Sequence, residues 1–151
     1  MTSQASPRKS WTLPYRALRG TDGGGRAFDG GLLPGVALNL VRPEGGVCSI
    51  GTYGLIDSGA DRSVLPVSWA RHLGIDLDDD CEEASSRTAG GMATCYEYPA
   101  GIEAIILGHK VTLQASFNRD LPWVLLGRDD FFSYFKVSFE HRAQQFTLRL
   151  Y

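Results

Sequence analysis

The chain has 151 residues, 43% apolar and 21% charged, with a net charge of −2. That length and balance fit one soluble domain with a hydrophobic core of its own. The near-neutral charge points to no nucleic acid and no anionic membrane surface as partner, and no apolar run approaches the roughly 20 residues that cross a bilayer.

Residues 1–31 are rich in Gly, Ser, Arg and Pro, including Gly23-Gly24-Gly25 and Gly30-Gly31. So little apolar side chain suggests a flexible arm, or one that orders on a partner or across the body. The stretch lacks an apolar core of the kind that marks a secretory leader. The folded domain is expected over 32–151.

Short strands dominate from there. Val36–Val41 and Ile50–Ile56 read as strands around the turn Pro43-Glu44-Gly45-Gly46. Pro66–Leu73 reads as a short helix stopped by Gly74. The acidic run Asp76–Glu83 reads as a solvated loop. Thr94–Tyr98, Ile102–Leu107, Val111–Ala115 and Val124–Leu126 read as further strands, and Asp129–Tyr134 as a helical turn. The alternation Phe135, Val137, Phe139, then Phe146, Leu148, Leu150 predicts a closing hairpin with one buried face. The domain is expected to be mainly β, with one or two short helices.

Cys48, Cys81 and Cys95 are odd in number and lack zinc-ligand spacing. They read as three reduced thiols of a cytoplasmic protein, with no disulfide framework, metal or cofactor. His72, His109 and His141 are scattered and read as surface or satisfied residues.

The stretch that carries chemistry is Gly54-Leu55-Ile56-Asp57-Ser58-Gly59-Ala60-Asp61. An apolar strand delivers a carboxylate, and a glycine lets the chain bend tightly after it. Ser58 can hydrogen-bond locally, and backbone N–H groups can hold the carboxylate ionised. An Asp-Ser-Gly alone also fits an ordinary Asx turn. Its context sharpens it: Ser63-Val64-Leu65-Pro66 follows, and Val124-Leu125-Leu126-Gly127-Arg128-Asp129 lies downstream.

With both motifs in that order, residues 35–151 resemble the retropepsin-like aspartic proteases, in the manner of the cellular and bacterial members. The resemblance implies an acid-protease β-barrel. It implies that Asp57 is the catalytic aspartate, that Ser58 grips the partner loop, and that Gly59 admits substrate backbone. Ala60 and Asp61 would lie beside substrate, and Asp61 would pair with Arg128, next to Gly127. Gly90, Gly91 and Met92 would form a flap tip, with a plain surface loop as the alternative. Trp123 and Leu125 would line pockets, although Trp123 is as readily a core residue.

Only one Asp-Ser-Gly motif is present, whereas pepsin-like chains of over twice this length carry two. The resemblance therefore implies a homodimer, with the second copy supplying the other carboxylate. The implied activity is an aspartic endopeptidase acting on extended peptides. A non-catalytic peptide-binding module of the same fold, and a protease blocked by its own arm, are the alternatives.

Overall fold

The computed structural model describes residues 7–88 and 90–151, the side chains of Ser86 and Thr88 excepted. It is mainly β. In chain order the strands are β1 (Ser10–Pro14), β2 (Arg16–Thr21), β3 (Ala27–Leu33), β4 (Gly35–Leu40), β5 (Thr52–Ile56) and β6 (Val64–Pro66). They continue as β7 (Glu82–Thr88), β8 (Gly91–Glu97), β9 (Ile102–Ile106), β10 (His109–Leu113), β11 (Ser116–Asn118) and β12 (Val124–Leu126). β13 (Phe135–Glu140) and β14 (Gln145–Leu150) close the chain, with helices α1 (Ser68–Leu73) and α2 (Phe131–Tyr134) interspersed.

Nine strands form one ladder in the order β10-β9-β4-β5-β12-β6-β11-β8-β7, while β1-β14-β13 and β2-β3 form two smaller sheets. The apolar face of the large sheet and the closing hairpin share one core. Leu38, Ile106, Val111, Phe117 and Val124 join Phe135, Phe146 and Leu148 in it, each at most 1% exposed. Phe131 and Phe135 stack with ring centroids 5.2 Å apart, and Thr112 N–H donates to the Tyr134 hydroxyl at 3.1 Å. Helix α2 is thereby tied to β10.

One crossing decides the topology of the site. β12 lies between β5 and β6, parallel to β5 and antiparallel to β6. The chain leaving β5 must therefore arch over the end of β12 to reach β6. That arch is 57–63, the segment carrying the acidic motif.

Helix α1 starts at Ser68, two residues later than expected, because Pro66 sits in β6. Its predicted stop holds: Gly74 adopts φ +70° and its N–H reaches the Arg71 carbonyl at 3.2 Å. The acidic loop is shorter than expected, since β7 begins at Glu82.

The larger difference is at the N-terminus. Residues 1–6 of the expected arm lie outside the described residues. From Ser10 on, the chain is not a loose arm but part of the body. β1 pairs with β14 along five residues, and Tyr15 and Leu18 are 9% and 4% exposed. β2 and β3 form a hairpin whose Gly23 N–H donates to the Arg119 carbonyl at 2.6 Å. Its glycines serve close approach. A Cβ on Gly20 would overlap the Pro122 carbonyl. One on Gly30 would lie 2.8 Å from the Trp123 ring. Composition alone cannot separate glycine that frees a chain from glycine that lets it press against a neighbour.

Candidate active site

Strand β5 runs directly into Asp57, half-buried at the start of the arch. Its backbone N–H donates to the Leu126 carbonyl at 3.0 Å, which extends the β5–β12 ladder by one residue. Its carboxylate Oδ1 accepts from Gly59 N–H at 2.9 Å. Ala60 N–H then donates to the Asp57 carbonyl at 3.2 Å. Ser58 and Gly59 form the exposed tip of this turn. A Cβ on Gly59 would sit 3.1 Å from that Oδ1, so the smallest residue suits the place. The geometry is an Asx turn, with the acid group held at the surface by a strand and a backbone donor.

The second motif meets the first from beneath. Arg128 N–H donates to the Ala60 carbonyl at 2.9 Å, and Asp129 N–H to the Asp61 carbonyl at 2.7 Å. Gly127 lies directly under the arch. A Cβ there would come within 2.5–2.8 Å of Arg62 backbone atoms, which cannot rotate aside. The Arg128 guanidinium Nη2 pairs with Asp61 Oδ1, the ion pair that the family resemblance implies. Both side chains are more than half exposed, so the pair contributes about 0–1 kcal/mol.

A stronger connection, unassigned in the sequence reading, lies behind it. Asp130 is 3% exposed and Ser63 is fully buried. The Asp130 carboxylate accepts from the Ser63 hydroxyl at 2.7 Å and from Ser63 N–H at 3.1 Å. It also accepts from Gln114 N–H at 3.0 Å and Phe131 N–H at 2.6 Å. Ser63 Oγ in turn accepts from Gly127 N–H at 3.2 Å. Leaving such a buried polar group short of a hydrogen-bond partner costs about 1–3 kcal/mol. The available signal was an Asp directly before Phe131-Phe132, which marks a helix N-cap.

The face of the sheet bearing Asp57 is half open. Counting back two residues from Asp57 gives Leu55 and Tyr53. Leu55 pairs with Leu125, and Leu125 with Val64, all three half-buried. Gly54, Ile56, Val124 and Leu126 face the core instead. Leu125 thus lies beside the acid's strand. Leu55 and Val64 join it, and period-two counting could have named both.

Trp123 is half-buried, with one edge of its indole against Gly30 of β3. It is therefore not a full core residue. β7 and β8 form an antiparallel hairpin at one edge of the large sheet. Gly90 and Gly91 lie at its exposed tip, with Gly91 at φ +120°, and Met92 is 67% exposed. Ala89, the residue before Gly90, lies outside the described residues. Among the described residues, no cluster of three His, Cys, Asp or Glu is placed to hold a metal ion. No helix among them is long and apolar enough to cross a membrane.

None of the curated proteins matches the chain. Among solved structures, a retropepsin-like aspartic protease from Rickettsia conorii superposes with a TM-score of 0.54 at 15% identity, covering 97% of each chain. At that identity the likeness speaks for the fold alone. Residues 51–129, just over half of the chain and spanning both motifs, match the family model described as aspartyl protease. The chain therefore belongs to the aspartyl protease family and carries the retropepsin-like fold.

Proposed function

We propose that the protein is an aspartic endopeptidase whose active unit contains two copies of the chain, each contributing Asp57. The observation that carries this reading is the surface placement of that carboxylate. It follows directly on the half-buried strand β5, is held by Gly59 N–H, and has Ser58 and Gly59 exposed around it. Two such carboxylates brought together cannot both ionise cheaply, so they hold one proton between them. The protonated member polarises the scissile carbonyl while the other takes a proton from the attacking water. Such a pair titrates as a unit.

In this reading Ser58 grips the partner's loop and Gly59 and Ala60 face substrate backbone. Asp61, braced by Arg128, borders the cleft. An extended peptide would lie across Leu55, Leu125 and the exposed edge of Trp123, with the β7–β8 hairpin closing over it through Gly90, Gly91 and Met92. Arg87, across from Met92 in the hairpin, adds a cation near that tip.

The test is Asp57→Asn, assayed with an apolar-rich peptide library and by sedimentation. We expect complete loss of cleavage with unchanged folding and association. Near-wild-type turnover by that variant would rule the mechanism out. A removable inhibitory arm fits the molecule less well, because cutting before Leu32 would strip β1, Tyr15 and Leu18 from the body.

A further inference from the structure

We propose that Asp130 is a positioning residue for the Asp57 loop, acting through Ser63 and Gly127; this rests on the endopeptidase reading above. The family match ends at residue 129 and so does not include it.

The argument begins with what the arch needs. Segment 57–63 spans the width of β12 without strand pairing of its own along most of its length. Its near end is held by the Asp57 N–H to Leu126 bond. Its middle is held by Arg128 N–H to Ala60 and Asp129 N–H to Asp61, both on exposed residues or beside them. Its far end is Ser63, and there the chain enters the core.

At that far end a single carboxylate gathers four donors from three segments. Ser63 comes from the arch, Gln114 from the link between β10 and β11, and Phe131 from α2. No buried side-chain polar atom among the described residues lacks a partner. The Ser63 hydroxyl gives its proton to Asp130 and uses a lone pair for Gly127 N–H. This relay joins the start of α2, the floor of the arch and the arch's end in one buried chain of bonds.

Gly127 is the point where this matters for chemistry. It touches the Arg62 backbone so closely that no side chain fits. Its neighbour Leu126 carries the carbonyl that receives Asp57 N–H. A shift of Gly127 therefore moves the support of Asp57 itself. The exposed Arg128–Asp61 pair is open to water and salt and cannot hold that register as firmly. The buried relay, shielded from both, does.

The experiment uses the full-length chain in wild-type form and as Ser63→Ala, Ser63→Thr and Asp130→Asn. Ser63→Ala deletes the bridging hydroxyl while leaving Asp130 three backbone donors. Ser63→Thr keeps the hydroxyl. Asp130→Asn presents an amide donor where only acceptors fit and is the harsher variant. Steady-state cleavage of a library-selected peptide gives kcat and KM. Hydrogen exchange followed by mass spectrometry reads the segments 57–63, 127–131 and the core strands β9 and β10.

We expect Ser63→Ala to lower kcat by about 10- to 100-fold, with KM within about two-fold, since a small misplacement of a reacting group is that costly. Exchange should accelerate in 57–63 and 127–131 but not in β9 or β10. Ser63→Thr should recover most of kcat. Wild-type kcat in Ser63→Ala, or exchange rising equally in β9 and β10, would overturn the proposal. If the wild type cleaves nothing, the endopeptidase reading fails separately. Exchange confined to the two loops would then still support the brace, and unchanged exchange would still overturn it.

Discussion

Gly20→Ala separates two meanings of the glycine-rich N-terminus by the sign of its effect. In a flexible arm the substitution would stabilise the protein by about 0.4–1 kcal/mol, because it restricts the unfolded chain. In the structure Gly20 lies in β2, where its φ suits any residue. Backbone strain therefore does not enter. The new Cβ would overlap the Pro122 carbonyl oxygen and lie 3.0 Å from its carbon and 3.3 Å from Pro122 Cβ. Backbone atoms cannot rotate out of the way, so the hairpin or the loop must move.

Overpacking of this kind costs about 1–3 kcal/mol. For a chain of this size each kcal/mol lowers Tm by roughly 2–4 °C. We expect urea and thermal unfolding to show a loss of that order. Limited proteolysis should cut first within residues 16–33 as the hairpin lifts from Pro122 and Trp123. Gly25→Ala is the control, with nothing within 4 Å of its Cβ but φ at +85°. It should be destabilised without exposing that segment. A Tm for Gly20→Ala at or above wild type would refute the close-approach reading.

Three further outcomes follow from the same geometry. Arg128→Gln should change stability by no more than about 1 kcal/mol, and the change should shrink in high salt, as measured by urea titration at two ionic strengths. A chain starting at Leu32 should be much less stable than the intact one. It loses the buried Leu18, worth about 1.5–3 kcal/mol, together with the buried Tyr15 and the partly buried Trp11; an unchanged Tm would contradict this. Burial first, then the nearby Asp80 and Asp76 carboxylates, hold the Cys81 thiol above its ordinary value. The folded state therefore disfavours the thiolate, so any stability linked to Cys81 is present below the ordinary thiol value and falls as pH rises beyond it. At neutral pH, alkylation of Cys81 should be slower than that of a free thiol and should quicken in Asp80→Asn.

Much of the site was legible from local pattern. An apolar strand, Asp57-Ser58-Gly59 and the downstream Gly127-Arg128 are contiguous signals, and each acts where it stands in the chain. The closing hairpin and the Gly74 helix stop were equally readable, because alternation and a left-handed terminus are properties of a few neighbouring residues. The three-residue strands β6 and β11 were not, unlike the equally short but wholly apolar β12. They exist only because neighbouring strands complete their hydrogen bonds.

By itself the sequence determined the mainly β character and the acid-bearing turn, which depend on side-chain periodicity and on short-range backbone preference; the meeting of the two motifs was implied by the family resemblance alone. Only the tertiary structure decided that β12 runs between β5 and β6, so that the arch crosses Gly127. It also decided that Asp130 reaches Ser63 across 67 residues, and that Gly20 and Gly30 press a hairpin onto Pro122 and Trp123. Those facts arise from contacts between segments far apart in the chain. A glycine or an aspartate looks the same in sequence whether water or another backbone lies beside it.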